Sequence, residues 1–503
     1  EQQFQYANVW SPEIIGNSVR LRSSASAYFN RTQSAGNQQT WTWSGWIKRG
    51  ALASAYNIFG YLDFSAGVHN WQHYLGFDSS DHLQFYYYPN AANTQLTTTQ
   101  VFRDPSAWYH IVVAVDTTQA TSSNRIKLYV NGSQVTAFGT STYPSLNYNC
   151  WTNSTNAHRI GSRAGPDFDG YLAEVNFIDG QALTPSSFGQ TDPVTGVWSP
   201  AKYTGTYGTN GFYLKFSDIA TTSGSNAGLG KDFSGNGNYW TTNNISVTSG
   251  TTYDAMIDSP TNASSGTQPV GNYCVMNPLG NAIGSSPSGY LSNANLTVSG
   301  NANAGYLGTI SIPAGKYYFE GTLTTLARQS FGLCSATVSM SQDFGTNLNY
   351  YGFYFNPAGN YIDGSTNPWA ASAPSAGSIV QVAVDATNPA SINFWIGINN
   401  VWYNSTGGTT GNPSTGANAT QVITANVPLF PLSTLRSVLM KPILNLVQNV
   451  VRLQMLLVAV NVSVILWLLL QMLLRLSSWE ILLLVSNLIV LMLTVKTLFR
   501  ELS

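Results

Sequence analysis

Charge is what this chain has least of. Asp, Glu, Lys and Arg make up 9% of its 503 residues, and 21 basic against 22 acidic side chains leave a net charge of -1. No excess of positive charge exists to track phosphates, which excludes nucleic acid as a main partner. Glutamate is scarce: the six are Glu1, Glu13, Glu174, Glu320, Glu480 and Glu501, no two within a strand of each other. A retaining glycosidase needs two carboxyls about 5 Å apart, so hydrolysis by paired carboxylates is not expected. Three cysteines, Cys150, Cys274 and Cys334, are too few and too far apart for a disulfide framework or a zinc site. They are expected as buried small apolar residues. No Gly-x-Ser-x-Gly elbow is present. Residues 1–30 lack a charged start followed by an apolar stretch, so no signal peptide is expected there.

What fills the first 430 residues is Gly, Ser, Thr, Asn and Tyr, with Trp and Phe at intervals. Hydroxyls and amides give such a chain its solubility, while aromatic and β-branched residues favour strands. Trp41-Thr42-Trp43-Ser44-Gly45-Trp46-Ile47 places Trp41, Trp43 and Ile47 on one face of a strand. Trp108 to Asp116 reads as a central strand, and Ile126 to Val130 leads into Asn131-Gly132, a strong hairpin signal, with a return near Gln134-Val135. Tyr171 to Ile178 is a further strand, ending at Asp179-Gly180. Short strands at this spacing, with no amphipathic helix of useful length, predict a sandwich over residues 18–245.

The order of Trp43-Ser44-Gly45-Trp46-Ile47, Trp108-Tyr109-His110-Ile111, Leu128-Tyr129-Val130-Asn131-Gly132 and Phe168-Asp169-Gly170-Tyr171-Leu172-Ala173-Glu174-Val175 resembles the laminin-G-like branch of the concanavalin A-like lectin/glucanase superfamily. Asp232 to Asn238 resembles a motif of the same branch that opens the domain in many relatives, whereas here it follows the others. The resemblance implies a jelly roll of two curved antiparallel sheets. Glucanases of that superfamily set their carboxyls at alternating strand positions, a pattern this chain lacks.

Residues 246–304 hold Gly, Ser, Asn, Pro and Thr with few apolar anchors, and read as a linker or loosely packed connector. From 305 to 430 strand patterning resumes: Lys316-Tyr317-Tyr318-Phe319-Glu320, Phe331-Gly332, Tyr350 to Phe355, Ile379 to Asp385 and Ile392 to Asn400. This order resembles a SPRY domain, which implies a second sandwich that binds through loops at one end. The expected fold class is therefore all-β, two antiparallel β-sandwich (jelly-roll) domains in tandem.

Residues 431–503 break the pattern, becoming rich in Leu, Val, Ile and Met. Residues 453–474, between Arg452 and Arg475, carry no charge and are long enough for a membrane helix. A frameshifted tail accounts for the composition more directly. Codons ending in T, read one base out of register, turn Ala, Ser, Pro and Thr into Leu, Gly into Val, and Asn or Asp into Ile or Met. Shifting Met440 to Val447 permits Glu-Ala-Tyr-Phe-Glu-Phe-Gly, an aromatic strand of the kind the second sandwich would need to close its sheet. A helical partner-binding tail is the third reading.

Three carboxylates, Asp167, Asp169 and Glu174, are candidate calcium ligands, since Asp-x-Asp-Gly in a loop offers hard oxygens. The competing reading is a turn, because Asp-Gly is a common turn dipeptide. Relatives in the laminin-G-like branch often have Asp-Glu where this chain has Ala173-Glu174, which weakens the calcium case. For ligand binding, Tyr361, Asp363, Trp369 and Trp402 are placed in apparent loops of the second half, and Tyr86 and Tyr88 lie in the aromatic run Tyr86-Tyr87-Tyr88-Pro89. Trp71-Gln72-His73-Tyr74 is a similar run. Strand aromatics are commonly core.

The combination resembles proteins carried by marine bacteriophages. It implies a non-enzymatic adhesin at the virion surface or otherwise extracellular, recognising a cell-surface glycan or host receptor. Avidity would come from several copies as a homo-oligomer. The alternatives are a decoration protein without a ligand, and a surface lectin that meets a membrane only if the tail is genuine.

Overall fold

The computed structural model describes residues 13–63, 71–89, 94–162, 167–193, 195–221, 225–265, 268–279, 291–299, 306–324, 329–335, 350–356, 359–362, 367–369, 371–424 and 428–433. The chain begins with β1 (Ser18–Leu21), β2 (Tyr28–Thr32), β3 (Thr40–Arg49) and β4 (Tyr56–Asp63). β5 (Trp71–Phe77), β6 (His82–Pro89), β7 (Thr94–Val101) and β8 (Trp108–Asp116) follow. Next are β9 (Ile126–Val130), β10 (Ser133–Gln134), β11 (Phe138–Thr142), β12 (Ala157–Ile160) and β13 (Gly170–Asp179). β14 (Gly189–Thr191) and β15 (Trp198–Pro200) pair with each other, and β16 (Phe212–Leu214), β17 (Thr241–Asn243) and β18 (Ala255–Met256) complete the first sandwich.

Its first sheet runs β10-β9-β8-β3-β13-β1-β18, with β16 also on β13, and its second runs β11-β7-β6-β5-β4-β12-β2-β17. Alternation decides what faces inward. Trp41, Trp43 and Ile47 of β3 point into the core with Ile111, Val113 and Leu128 from one sheet and Phe59, Leu75 and Phe85 from the other. The predicted hairpin between β9 and β10 is present. Asn131 and Gly132 take φ of 47° and 81°, the left-handed pair that a type I′ turn demands. All three cysteines are free and buried, as their isolation in the sequence implied.

The connector is not a loose linker. Asp254 is fully buried, where its Oδ1 accepts from Arg20 Nε (3.1 Å) and Arg22 Nε (2.8 Å). Its Oδ2 takes the second Arg22 donor and the Ser246 N–H. Asp258 pairs with Lys48 Nζ at 2.7 Å, and that ammonium donates as well to Asn272 Oδ1 and the Tyr273 carbonyl. Buried charges persist only when paired and hydrogen-bonded, so these two carboxylates fasten the segment onto β1 and β3. The turn-rich composition concealed this because two aspartates hold the segment along with its few apolar residues. Two small hairpins lie in the same region, β19 (Ala263–Ser265) with β20 (Gln268–Val270) and β21 (Leu291–Ser292) with β22 (Thr297–Val298).

The second sandwich contains β23 (Tyr306–Leu307), β24 (Lys316–Thr322), β25 (Gln329–Ser335), β26 (Tyr350–Asn356), β27 (Gly359–Ile362) and β28 (Asn367–Pro368). β29 (Ile379–Asp385), β30 (Ile392–Ile398), β31 (Val401–Tyr403), β32 (Gln421–Ile423) and β33 (Leu429–Ser433) finish it. One sheet is β23-β33-β25-β26-β27-β28 and the other β24-β29-β30-β31, with β32 also on β30. Phe319, Phe331, Phe353, Val382, Phe394 and Ile396 fill the space between them. That apolar cluster continues through Val275, Met276 and Leu296 of the connector to Trp46, Trp108 and Tyr171 on the outer face of the first sandwich. Both sandwiches belong to one compact unit. The expectation that nothing after residue 430 closes the second sandwich needs correcting. Pro431 to Ser433 are part of β33, which pairs on both sides. The apolar run 453–474 and the frameshifted reading of the tail fall outside the described residues.

Candidate functional site

The two outer faces of the first sandwich differ. On the first sheet the outward residues Ser44, Trp46, Lys48, Val112 and Ala114 are buried. Phe188, Leu183, Tyr203 and Tyr207 pack over Val112, Ala114 and Ile178 at one end, and the connector covers Trp46 and Trp108 at the other. On the second sheet most outward residues of the described strands keep part of their surface in solvent, with Gly60 and Gln84 buried among them. One row crosses all eight strands in register: Thr142, Gln95, Tyr86, Tyr74, Gly60, Arg159, Asn30 and Thr241. Parity explains the row, since Leu75, Phe85, Tyr87 and Leu96 on the same strands alternate into the core.

Tyr74 and Tyr86 are cross-strand neighbours with ring centroids 5.2 Å apart, tilted by 34°. The Tyr74 hydroxyl donates to Gln84 Oε1 at 2.5 Å, and Gln84 Nε2 donates to Thr97 Oγ1 at 3.0 Å. Gln95 Nε2 donates to the same Thr97 oxygen at 3.1 Å. The Arg159 guanidinium stacks over Tyr28 at 4.6 Å, leaving the row without a free-swinging cation. Aromatic faces thus stand beside amides and hydroxyls that both donate and accept, with almost no charge. Tyr86 was expected from the sequence. Tyr88 is in β6 but its side chain lies outside the described residues. Tyr74 stood in the expected run Trp71-Gln72-His73-Tyr74, whereas Gln84 and Gln95 were not singled out, although their parity opposite to the core residues was available in the sequence.

The loop candidates of the second half behave differently from expectation. Trp369 is only 4% exposed, packs edge-on against Phe353 and Tyr403, and donates its Nε1–H to the Asn404 carbonyl. It lies just after β28, outside a strand, but its buried ring contacts make it a core residue. Tyr361 belongs to β27 and not to a loop, and its side chain, like Asp363 as a whole, falls outside the described residues. Trp402 belongs to β31 and is half-buried.

The three expected calcium ligands do not converge. Asp169 is turned inward, and its oxygens accept from the backbone N–H of Ala294 and Ser23. Burial pushes its carboxyl up to about 6, against the lowering effect of those two bonds. Glu174 lies on a β-bulge of β13 with φ of 49° and accepts from the Tyr213 hydroxyl. Asp167 bridges to Asn57, with a buried Oδ1 that has no hydrogen-bond partner among the described residues. Among the described residues no three His, Cys, Asp or Glu side chains are placed to hold a metal ion, so these three do not fit calcium together. Asp232 is likewise a turn organiser, accepting from the N–H groups of Tyr213, Ser234 and Asn238 and the Ser234 hydroxyl.

Folding does bring two glutamates to one cleft, which their sequence spacing hid. Glu13 and Glu174 line it with Ser44, His110, Tyr203 and Tyr207. The cleft holds little more than a water molecule, far less than a sugar ring. His110 is not a general base either. Trp198 Nε1–H donates to its Nδ1 at 3.0 Å, so the ring proton sits on Nε2 and points at Ser44 Oγ, 2.9 Å away. A serine nucleophile needs that nitrogen bare, and burial holds the imidazole down at about 3.

This geometry sits in a part of the chain with known relatives. Residues 22–187 match the family model of the Concanavalin A-like lectin/glucanases superfamily. The matched region takes in most of the first sandwich, including Tyr74 and Tyr86. Among solved structures, the heptameric SAP-like pentraxin of Limulus polyphemus is 16% identical, with 35% of this chain and 80% of that one covered at a TM-score of 0.26. A putative carbohydrate binding protein of Bacteroides ovatus is 18% identical, covering 46% of this chain and 59% of that one at 0.28. Domain 4 of a GH43 extracellular arabinanase from Geobacillus stearothermophilus, in complex with arabinotriose, is 21% identical, covering 35% and 76% at 0.26. No curated protein matches the chain.

Proposed function

We propose that this chain is a non-catalytic glycan-binding protein whose lectin-like sandwich holds saccharides on the outer face of its second sheet. The observation that carries this reading is the half-buried Tyr74–Tyr86 pair beside Gln84, Gln95 and Thr97, on the sheet whose outer face the described residues do not pack over as they do its partner's. Sugar rings present C–H faces that pack on aromatic rings and hydroxyls that pair with amides. The match of residues 22–187 to the superfamily supports the same class of ligand. The further setting proposed is that of a bacteriophage adhesin, displayed at the virion surface or otherwise outside the cell and recognising a host glycan. The low charge and the Asn-, Thr- and Gly-rich surface support it, and repeated copies would raise avidity.

A glycan array probed with the full chain tests the reading. Binding to one class of neutral glycan is expected, and Tyr86→Ala should weaken it by roughly tenfold, the equivalent of about 1.4 kcal/mol. An array with no retained glycan would favour a decoration protein without a ligand. Incubation with β-glucans should release no reducing sugar, given the narrow Glu13–Glu174 cleft and the His110 tautomer. Release that Glu174→Gln abolished would make the protein a glycosidase.

A further inference from the structure

The second sandwich carries an aromatic and polar cluster that is separate from the Tyr74–Tyr86 row. Glu320 of β24, Gln381 of β29, Gly397 of β30 and Trp402 of β31 form one register line across that sheet. Gly397 leaves a gap which the Trp402 indole fills: a Cβ there would meet the ring at 3.1 Å. The indole therefore lies against the sheet while the residue keeps part of its surface in solvent. Tyr318 stands beside it, edge to face, with centroids 6.3 Å apart.

The polar groups are fixed before any ligand arrives. Asn399 and Asn400 take φ of 51° and 66°, a left-handed pair that turns β30 tightly into β31. The Asn400 N–H donates to Gln381 Oε1 at 2.6 Å, and Gln381 Nε2 donates to Asn400 Oδ1 at 2.7 Å and to the Tyr318 hydroxyl at 2.8 Å. Tyr318 in turn donates to Glu320. Each acceptor of this network is set by a neighbour, which is how a site is held ready at low entropic cost. Asn400 is exposed at its rim.

We propose that Trp402, with Tyr318 and Asn400 at its side, is a second saccharide-binding site, one that takes a neutral sugar. The indole supplies the stacking face and Asn400 an amide at hydroxyl height. The Glu320 carboxylate, which accepts the Tyr318 hydroxyl on the same face of the sheet, disfavours uronic and sialic acids by like charge. The site stands independently of the Tyr74–Tyr86 face, and two sites on one chain make it bivalent toward a polymer.

The test uses the full chain and its Trp402→Ala, Trp402→Phe, Tyr86→Ala and Tyr86→Ala/Trp402→Ala variants. Cellohexaose, maltohexaose, xylohexaose and chitohexaose serve as probes, with sialyllactose as the anionic control. Saturation-transfer NMR reads each soluble sugar, and retention on the corresponding immobilised polysaccharide reads bivalency. The Tyr86→Ala variant should still bind at least one neutral hexasaccharide, and adding Trp402→Ala should remove that residual binding. Trp402→Phe should restore most of it, which excludes simple unfolding. Retention on polymer should fall at least tenfold in Trp402→Ala, and sialyllactose should give no signal through this site. Full binding by Trp402→Ala, with all binding lost in Tyr86→Ala, would overturn the second site and leave the first intact. The reverse pattern would overturn the first and support the second.

Discussion

Replacing Asp254 by alanine should destabilise the chain by at least about 3–5 kcal/mol, the usual loss when one partner of a buried ion pair is removed. The reason lies in what it leaves behind. Arg20 is fully buried and Arg22 nearly so, and both direct Nε at the same carboxylate oxygen. Arg20 would retain the Thr251 and Tyr253 carbonyls, and Arg22 the Asn244 carbonyl, but neither charge would be neutralised. Asp254→Asn, which keeps the shape and one acceptor oxygen, should fall between the two. Urea unfolding of the three proteins measures this directly. A loss below about 1 kcal/mol for the alanine variant would mean that the connector is held by apolar packing alone.

Stability should also fall as pH rises through neutrality, and Glu174→Gln should remove much of that fall. Burial pushes the Glu174 carboxyl up to about 7; the Tyr213 hydroxyl opposes the shift, and Glu13 adds to it. Lys215 and Lys202 pull the other way. An acid whose folded value is raised keeps its full contribution below its unfolded value, near 4.5, and loses it as pH climbs through the folded value. The difference of about 2.5 units corresponds to roughly 3 kcal/mol at most. Asp169, raised to about 6, adds a loss of the same sign at lower pH that the variant would retain. The difference between native and Glu174→Gln curves, from chemical unfolding at pH 4.5, 6 and 8, therefore isolates Glu174. The variant should be the more stable protein at pH 8. Parallel curves would show that the carboxyl titrates normally in its cleft.

Periodicity made the framework legible, and composition misled where charge was the glue. Trp41, Trp43 and Ile47 could be assigned to one face because alternation in a strand is strict. Asn131-Gly132 could be assigned to a turn because few residues tolerate that backbone. The connector read as loose because Asp254 and Asp258 look like ordinary turn residues until Arg20, Arg22 and Lys48 are brought to them from more than 200 positions away. The candidate site was half visible. Tyr86 stood out, but its partners depend on which strands become neighbours, and Tyr74, Gln84 and Gln95 meet only through the pairing of β5, β6 and β7. Trp369 and Trp402 look alike in sequence. What separates them is that one packs into the core against Phe353 and Tyr403 and the other lies across Gly397.

The position of β33 bears on how the protein is made. It lies between β23 and β25, so a strand synthesised after the others occupies the interior of its sheet. Until the ribosome has delivered Leu429 to Ser433, Tyr306 and Leu307 have no neighbour on that side, and Phe331 to Ser335 present an unpaired edge. Such edges pair readily with other chains. The first sandwich has no such delay in its central strands, because β3, β8 and β13 are all complete by Asp179. During synthesis the nascent chain therefore carries a finished amino-terminal half and an open carboxy-terminal one, and it is the second that depends on rapid translation or on a chaperone to escape aggregation.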